Sequence, residues 1–197
     1  MLKTLHLSIG LFLTFSLSTP LLAETTLEVI HIQGKISFEG KALKKGAKIS
    51  TQGLLIAYGA ESYIDLKLGD GEQIRLKDGV AKILTLKNEP VFFLDQGSFF
   101  ASVDPKRKRR LKVKTKAATM GVRGTKFYID EKKGQTYLCV CEGTVEISAG
   151  KQSYAVQAGE DAHAKVRTKL EKPTKASKDM MKMTVDAFTQ MGLSVKK

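Results

Sequence analysis

The chain has 197 residues, 42% of them apolar and 27% charged, with 17 glycines, four prolines and no tryptophan. That apolar share exceeds what a disordered chain carries, and two cysteines are too few for a small disulfide scaffold. Thirty-three Lys and Arg against twenty Asp and Glu leave a net charge of +13, which favours acidic partners but names no chemistry.

Residues 1–23 read as a signal peptide. Lys3 opens it, residues 5–22 are apolar or small, Pro20 breaks the run, and Ala23 offers a small residue for cleavage. An uncleaved anchor is the rival reading, because the apolar stretch approaches the length that spans a bilayer. Both place the chain outside the cytoplasm, in the periplasm or cell envelope of a bacterium. Cleavage removes only Lys3 from the charge count.

Residues 24–167 show no helical period. Runs of four to eight residues rich in β-branched and aromatic side chains are punctuated by Gly34, Gly40, Gly46, Gly53, Gly59, Gly69, Gly79, Gly97 and their successors. This predicts an all-β domain of many short strands, either a two-sheet sandwich or a wound β-roll of β-helix type. Tyr63, Asp65 and Lys67 alternate with Ile64, Leu66 and Leu68. Asp70-Gly71 then supplies a turn, and Ile74 to Leu76 resume the alternation, so a hairpin is expected there. Val145 and Ile147 share one face and Glu146 the other.

Lys106, Arg107, Lys108, Arg109 and Arg110 form an unbroken cationic run, continued by Lys112, Lys114 and Lys116. No aromatic residues interleave it, so stacking on bases is unsupported and nucleic acid is not an expected partner. A solvated loop fits the run, and so does a docking surface for an acidic envelope protein or an anionic envelope polymer. Cys139 and Cys141 stand two apart in an extended run, which puts both sulfurs on one face. A disulfide between them would be strained, so buried thiols are expected, with a strained or intermolecular bridge or a redox role as alternatives.

Residues 168–197 differ in kind. A Lys-rich linker containing Pro173 precedes a helix that Ser177 caps and that runs to about Met191, stopped by Gly192. Met181, Val185, Phe188 and Met191 give it an amphipathic face, which either folds back over the β-domain or receives a partner.

Groups able to do chemistry are few. Only His31 and His163 follow the leader, and neither has a second His at metal-ligand spacing. There is no nucleophile elbow, no phosphate-binding glycine loop and no calcium loop. Asp65, Asp70 and Glu72 read as solvated hairpin residues. No catalytic residue, metal site or cofactor is therefore expected, and the chain is not expected to be an enzyme.

Gly121-Val122-Arg123-Gly124-Thr125 with Phe127, then Cys141-Glu142-Gly143-Thr144-Val145, then Ala158-Gly159-Glu160, resembles the signature of the FecR domain. The weaker turns Gly34-Lys35-Ile36, Leu43-Lys44-Lys45-Gly46, Leu68-Gly69-Asp70-Gly71-Glu72 and Leu94-Asp95-Gln96-Gly97 match that family in the same order. The resemblance covers about residues 29–165. It implies an all-β, exported, non-enzymatic module, which in the best-known members relays ligand occupancy of an outer-membrane transporter to a cytoplasmic sigma factor. Lys126 stands where the family often has an acidic residue. With a leader starting at Met1, no sigma-factor-binding segment is expected ahead of the membrane. The resemblance thus implies a binding module acting through protein–protein contacts in the envelope, linked to signalling or transport. The alternative is a structural surface protein held on anionic polymer by its basic face. Within the motif, Gly121 and Gly124 would let the backbone turn sharply or approach another strand. Arg123 would clamp carbonyls or a carboxylate such as Glu142, or else contact a ligand.

Overall fold

The structure is a computed structural model describing residues 25–69, 71–106 and 110–195, so the leader, Asp70 and residues 107–109 lie outside the described residues. Among the described residues, fourteen strands join in one hydrogen-bonded sheet, followed by one helix. The all-β expectation with a C-terminal helix holds, but the strands that organise the fold are not short. β1 (Leu27–Phe38) carries the small strands β2 (Lys41–Ala42) and β3 (Lys48–Ile49) on its edge. It pairs with β4 (Gly53–Leu68), which forms the expected hairpin with β5 (Glu72–Thr85), and β5 pairs with β6 (Val91–Ser102).

Several glycines that look like strand boundaries lie inside these strands. Register shifts fall between Gln33 and Lys35, between Ile56 and Tyr63, and between Lys77 and Val80, which aligns them across four neighbouring strands. At Gly97 the backbone has φ +92°, and a Cβ there would sit 2.3 Å from the Asp78 carbonyl oxygen and 2.4 Å from the Gly79 Cα. Only glycine permits that approach. The aligned bulges form a crease. Phe92 and Phe99 show its effect: seven residues of straight strand would separate them by about 23 Å, yet their ring centroids are 5.6 Å apart. One sheet therefore folds on itself and supplies both layers of the sandwich.

β6 is where the layers part. Its Val91–Phe93 end pairs in parallel with β7 (Leu111–Lys114), while Gly97–Ser102 pairs antiparallel with β9 (Lys126–Lys132). The first layer continues through β8 (Thr119–Val122) and β11 (Thr144–Ala149) to β12 (Gln152–Gln157). The second continues through β10 (Gln135–Glu142) and β13 (Glu160–Lys165) to β14 (Thr174–Lys175). Val113, Met120, Val145 and Ile147 from the first layer meet Phe127, Ile129, Leu138 and Val140 from the second in one core.

The helix α1 (Lys178–Gln190) lies on the outer face of the second layer. The Ser177 hydroxyl accepts from the Met180 amide at 3.2 Å. At the other end Gly192 has φ +75°, and the Leu193 and Gly192 amides donate to the Phe188 and Thr189 carbonyls, which satisfies the last turn. Phe188 is fully buried, edge-on to Phe100, which stacks on Tyr128 at 4.6 Å. Burying that ring contributes about 1.5–3 kcal/mol, so the helix is held by its docking rather than by propensity.

Two expectations about the hairpin carboxylates need correction. Asp65 is 4% exposed and accepts two hydrogen bonds from Arg75, its cross-strand partner, at 2.6 and 2.9 Å. Arg75 also lies over the Tyr63 ring and donates to Gln190 at 3.2 Å, so the end of α1 helps cover a face that alternation alone would leave wet. Glu72 is 1% exposed, and neither carboxylate oxygen has a partner among the described residues. Its burial follows from alternation, since it shares the inward face with Ile74 and Leu76.

Candidate functional site

Among the described residues the outer face of the first layer is uncovered and polar. Strand alternation buries Leu111, Val113, Met120, Val122, Val145, Ile147 and Val156, and turns their neighbours outward. Lys112, Gly121, Glu146 and Ala155 align across β7, β8, β11 and β12 in one row. Thr119, Ser148 and Ser153 align beside it. Together with Arg110, Arg123 and Tyr154 these residues line a groove of about 730 Å³. Lys112 pairs with Glu89 at 3.0 Å, while Arg110 and Arg123, with no ion pair among the described residues, bring guanidinium donors to one end. Such a surface suits carboxylates and backbone carbonyls rather than an apolar ligand. β12 ends the hydrogen-bonded order of this layer, so the groove abuts a sheet edge.

The structure sorts the motif residues into two groups. Val122, Thr125 and Phe127 point inward and are buried. Gly124 has φ +66°, and a Cβ on it would lie 2.7 Å from the Pro105 Cα; Gly143 has φ +78°, and its Cβ would lie 2.5 Å from the Gly124 carbonyl oxygen. Both must be glycine for the turns to close. Gly121 differs. Its φ is not positive, and nothing lies within 4 Å of the Cβ position. Neither backbone conformation nor packing requires a glycine there; the missing side chain leaves the groove its floor.

Arg123 belongs to the outward group. It is exposed and lines the groove. The Glu142 carboxylate is engaged by Lys126 Nζ at 2.6 Å, the residue standing where the family often has an acidic one. Of the cationic run, Lys106 and Arg110 are exposed, and Arg110 joins the groove; Arg107, Lys108 and Arg109 lie outside the described residues. His31 stacks on Tyr63, and His163 packs against Tyr137. Among the described residues no three His, Cys, Asp or Glu side chains gather as a metal site, and no helix is long and apolar enough to cross a membrane. Glu89, Ser153 and Tyr154 were not singled out by sequence reasoning. Glu146 was, through its alternation with Val145 and Ile147, and it lies on the groove wall.

A family model described as FecR protein matches residues 47–146, just over half of the chain. The chain belongs to this family. The match runs from beside β3 into β11 and includes both Gly121 and Arg123. Two crystal structures, each of a proposed anti-sigma factor from Parabacteroides distasonis ATCC 8503, are similar to this FecR chain. Their TM-scores are 0.58 and 0.56 at 16% and 19% identity, covering 71% and 68% of it. It spans 65% and 64% of those chains, just under two thirds, and at such identity the likeness concerns the fold alone. Comparison with curated proteins finds no match.

Proposed function

We propose that this FecR-family chain is an exported, non-enzymatic binding module of the cell envelope. It holds an extended, acidic segment of a partner protein in the groove over β7, β8, β11 and β12, in a signalling role. The observation that carries this is Gly121, a glycine inside a strand with room for a side chain, beside the exposed Arg123. Glycine weakens a strand interior and is found where a ligand or another backbone approaches closely. Arg123 and Arg110 supply planar forks for carboxylates, and the edge of β12 offers backbone groups for strand addition. The proposed anti-sigma assignment of the structural relatives supports a signalling role, and residues 1–23, read as a leader cleaved after Ala23, support export.

The test is capture of envelope proteins by the purified chain and by Gly121→Val and Arg123→Ala variants. One protein retained by the wild type, lost from both variants and released as salt rises, is the expected result. Equal retention by all three sinks the groove. Sedimentation with purified anionic polymer that survives both substitutions would favour the structural surface role instead.

A further inference from the structure

The second layer holds a cluster of sulfur atoms apart from the groove. Cys139 and Cys141 sit on the face of β10 opposite to Leu138 and Val140, so they belong to the cluster under α1 and not to the main core. Both are free and buried, Cys139 at 0% exposure. A register shift between Val140 and Glu142 places a bulge at Cys141, a device that re-aims a side chain. From the helix above, Met181 Sδ lies 3.5 Å from Cys139 Sγ. Two thiols and one thioether thus share one cluster between β10 and α1.

The pair is poorly placed for a bridge, since extended residues two apart have Cα atoms about 6.5–7 Å from one another, at the upper limit for a disulfide. A metal tolerates that spacing: sulfurs about 2.3 Å from one ion in a trigonal array sit about 4 Å apart, close to the 3.5 Å already present between Cys139 Sγ and Met181 Sδ. The donor set selects the ion. Hard cations need oxygen ligands, and a structural zinc site needs four, of cysteine, histidine or carboxylate type. Thiolate and thioether donors suit Cu(I). We infer that Cys139, Cys141 and Met181 form a three-sulfur site for Cu(I), closed by α1. On binding, each thiol gives its proton to solvent and bonds through its thiolate, while Met181 donates a thioether lone pair, with no change of oxidation state. The half-buried Met181, near the start of α1, is the entry point, and the bound ion ties the helix to β10.

The experiment titrates the full, reduced chain with Cu(I) held by a chromophoric chelator. The wild type is expected to withdraw one equivalent and to show a higher melting temperature with copper than without. Met181→Leu, which conserves volume, is expected to bind about 10- to 100-fold more weakly, the range typical for disturbing a metal's surroundings. Cys139→Ser and Cys141→Ser are expected to lose at least as much. A wild type that leaves all copper on the chelator rejects the site. So does a folded Met181→Leu variant with unchanged affinity, and that variant decides the question even where a cysteine substitution disturbs folding.

Discussion

The same folded sheet presents two outer faces with opposite fates. Over β6, β9 and β10 the outward residues are Phe100, Tyr128, Cys139 and Cys141, and α1 covers them. Over β7, β8, β11 and β12 they are Thr119, Gly121, Arg123, Glu146 and Ser148, and the face stays open. The difference is written in the strand pattern. Phe127-Tyr128-Ile129 and Leu138-Cys139-Val140-Cys141 are buried at consecutive positions, as in a strand covered on both sides. Val145-Glu146-Ile147-Ser148 alternates, as in a strand with one side in water. One face is finished by the chain itself, and the other stays open among the described residues.

The largest effect should come from stripping the covered face. Phe188→Ala removes its only fully buried ring from α1 and is expected to cost about 3–5 kcal/mol in denaturant unfolding. It should also open Cys139 and Cys141 to a thiol reagent. Unchanged stability with thiols still protected would mean that α1 docks by other contacts. Next comes the pH response of that face. Burial pushes the Tyr128 phenol up to about 12 from its ordinary 10. A raised acid favours the folded state below the unfolded value and loses that contribution as pH climbs through the folded one. Melting temperature should therefore fall between about pH 10 and 12, and Tyr128→Phe should flatten that part of the decline. The open face should respond least. Gly121→Val meets no atom and adds a strand-favouring side chain, so stability should stay within about 1 kcal/mol of the wild type, whereas Ala at Gly143 should destabilise clearly. Arg123→Ala should alter stability by no more than about 0.5 kcal/mol. A large loss in either open-face variant would return the motif to a purely architectural role.

Much of the fold could be read from the residues. Ser177 and Gly192 bound the helix because capping is local chemistry, decided by a side-chain oxygen and a left-handed turn within a few residues. The β4–β5 hairpin was legible for the same reason. The crease was not, because a glycine in a bulge and a glycine in a turn are identical in sequence; only the alignment of Gly79 against Gly97 across two strands separates them. Asp65 was misplaced because its cover comes from Arg75 and the end of α1, Gln190, 125 residues away along the chain. Glu72 was within reach, since its spacing from Ile74 and Leu76 already put it inward. For the groove, alternation reveals which residues look outward, as it did for Glu146. It does not reveal that Lys126 engages Glu142, which depends on how two separate strands meet.

The fork at β6 has a mechanical consequence. Because β6, like the creased β1, β4 and β5, is a member of both layers, neither layer can be peeled away while the other stays whole; releasing the Val91 end or the Ser102 end frays the same ribbon. The domain should therefore melt in one step, and the slowest-exchanging amides should lie along this common beam, the last part of the molecule to let go.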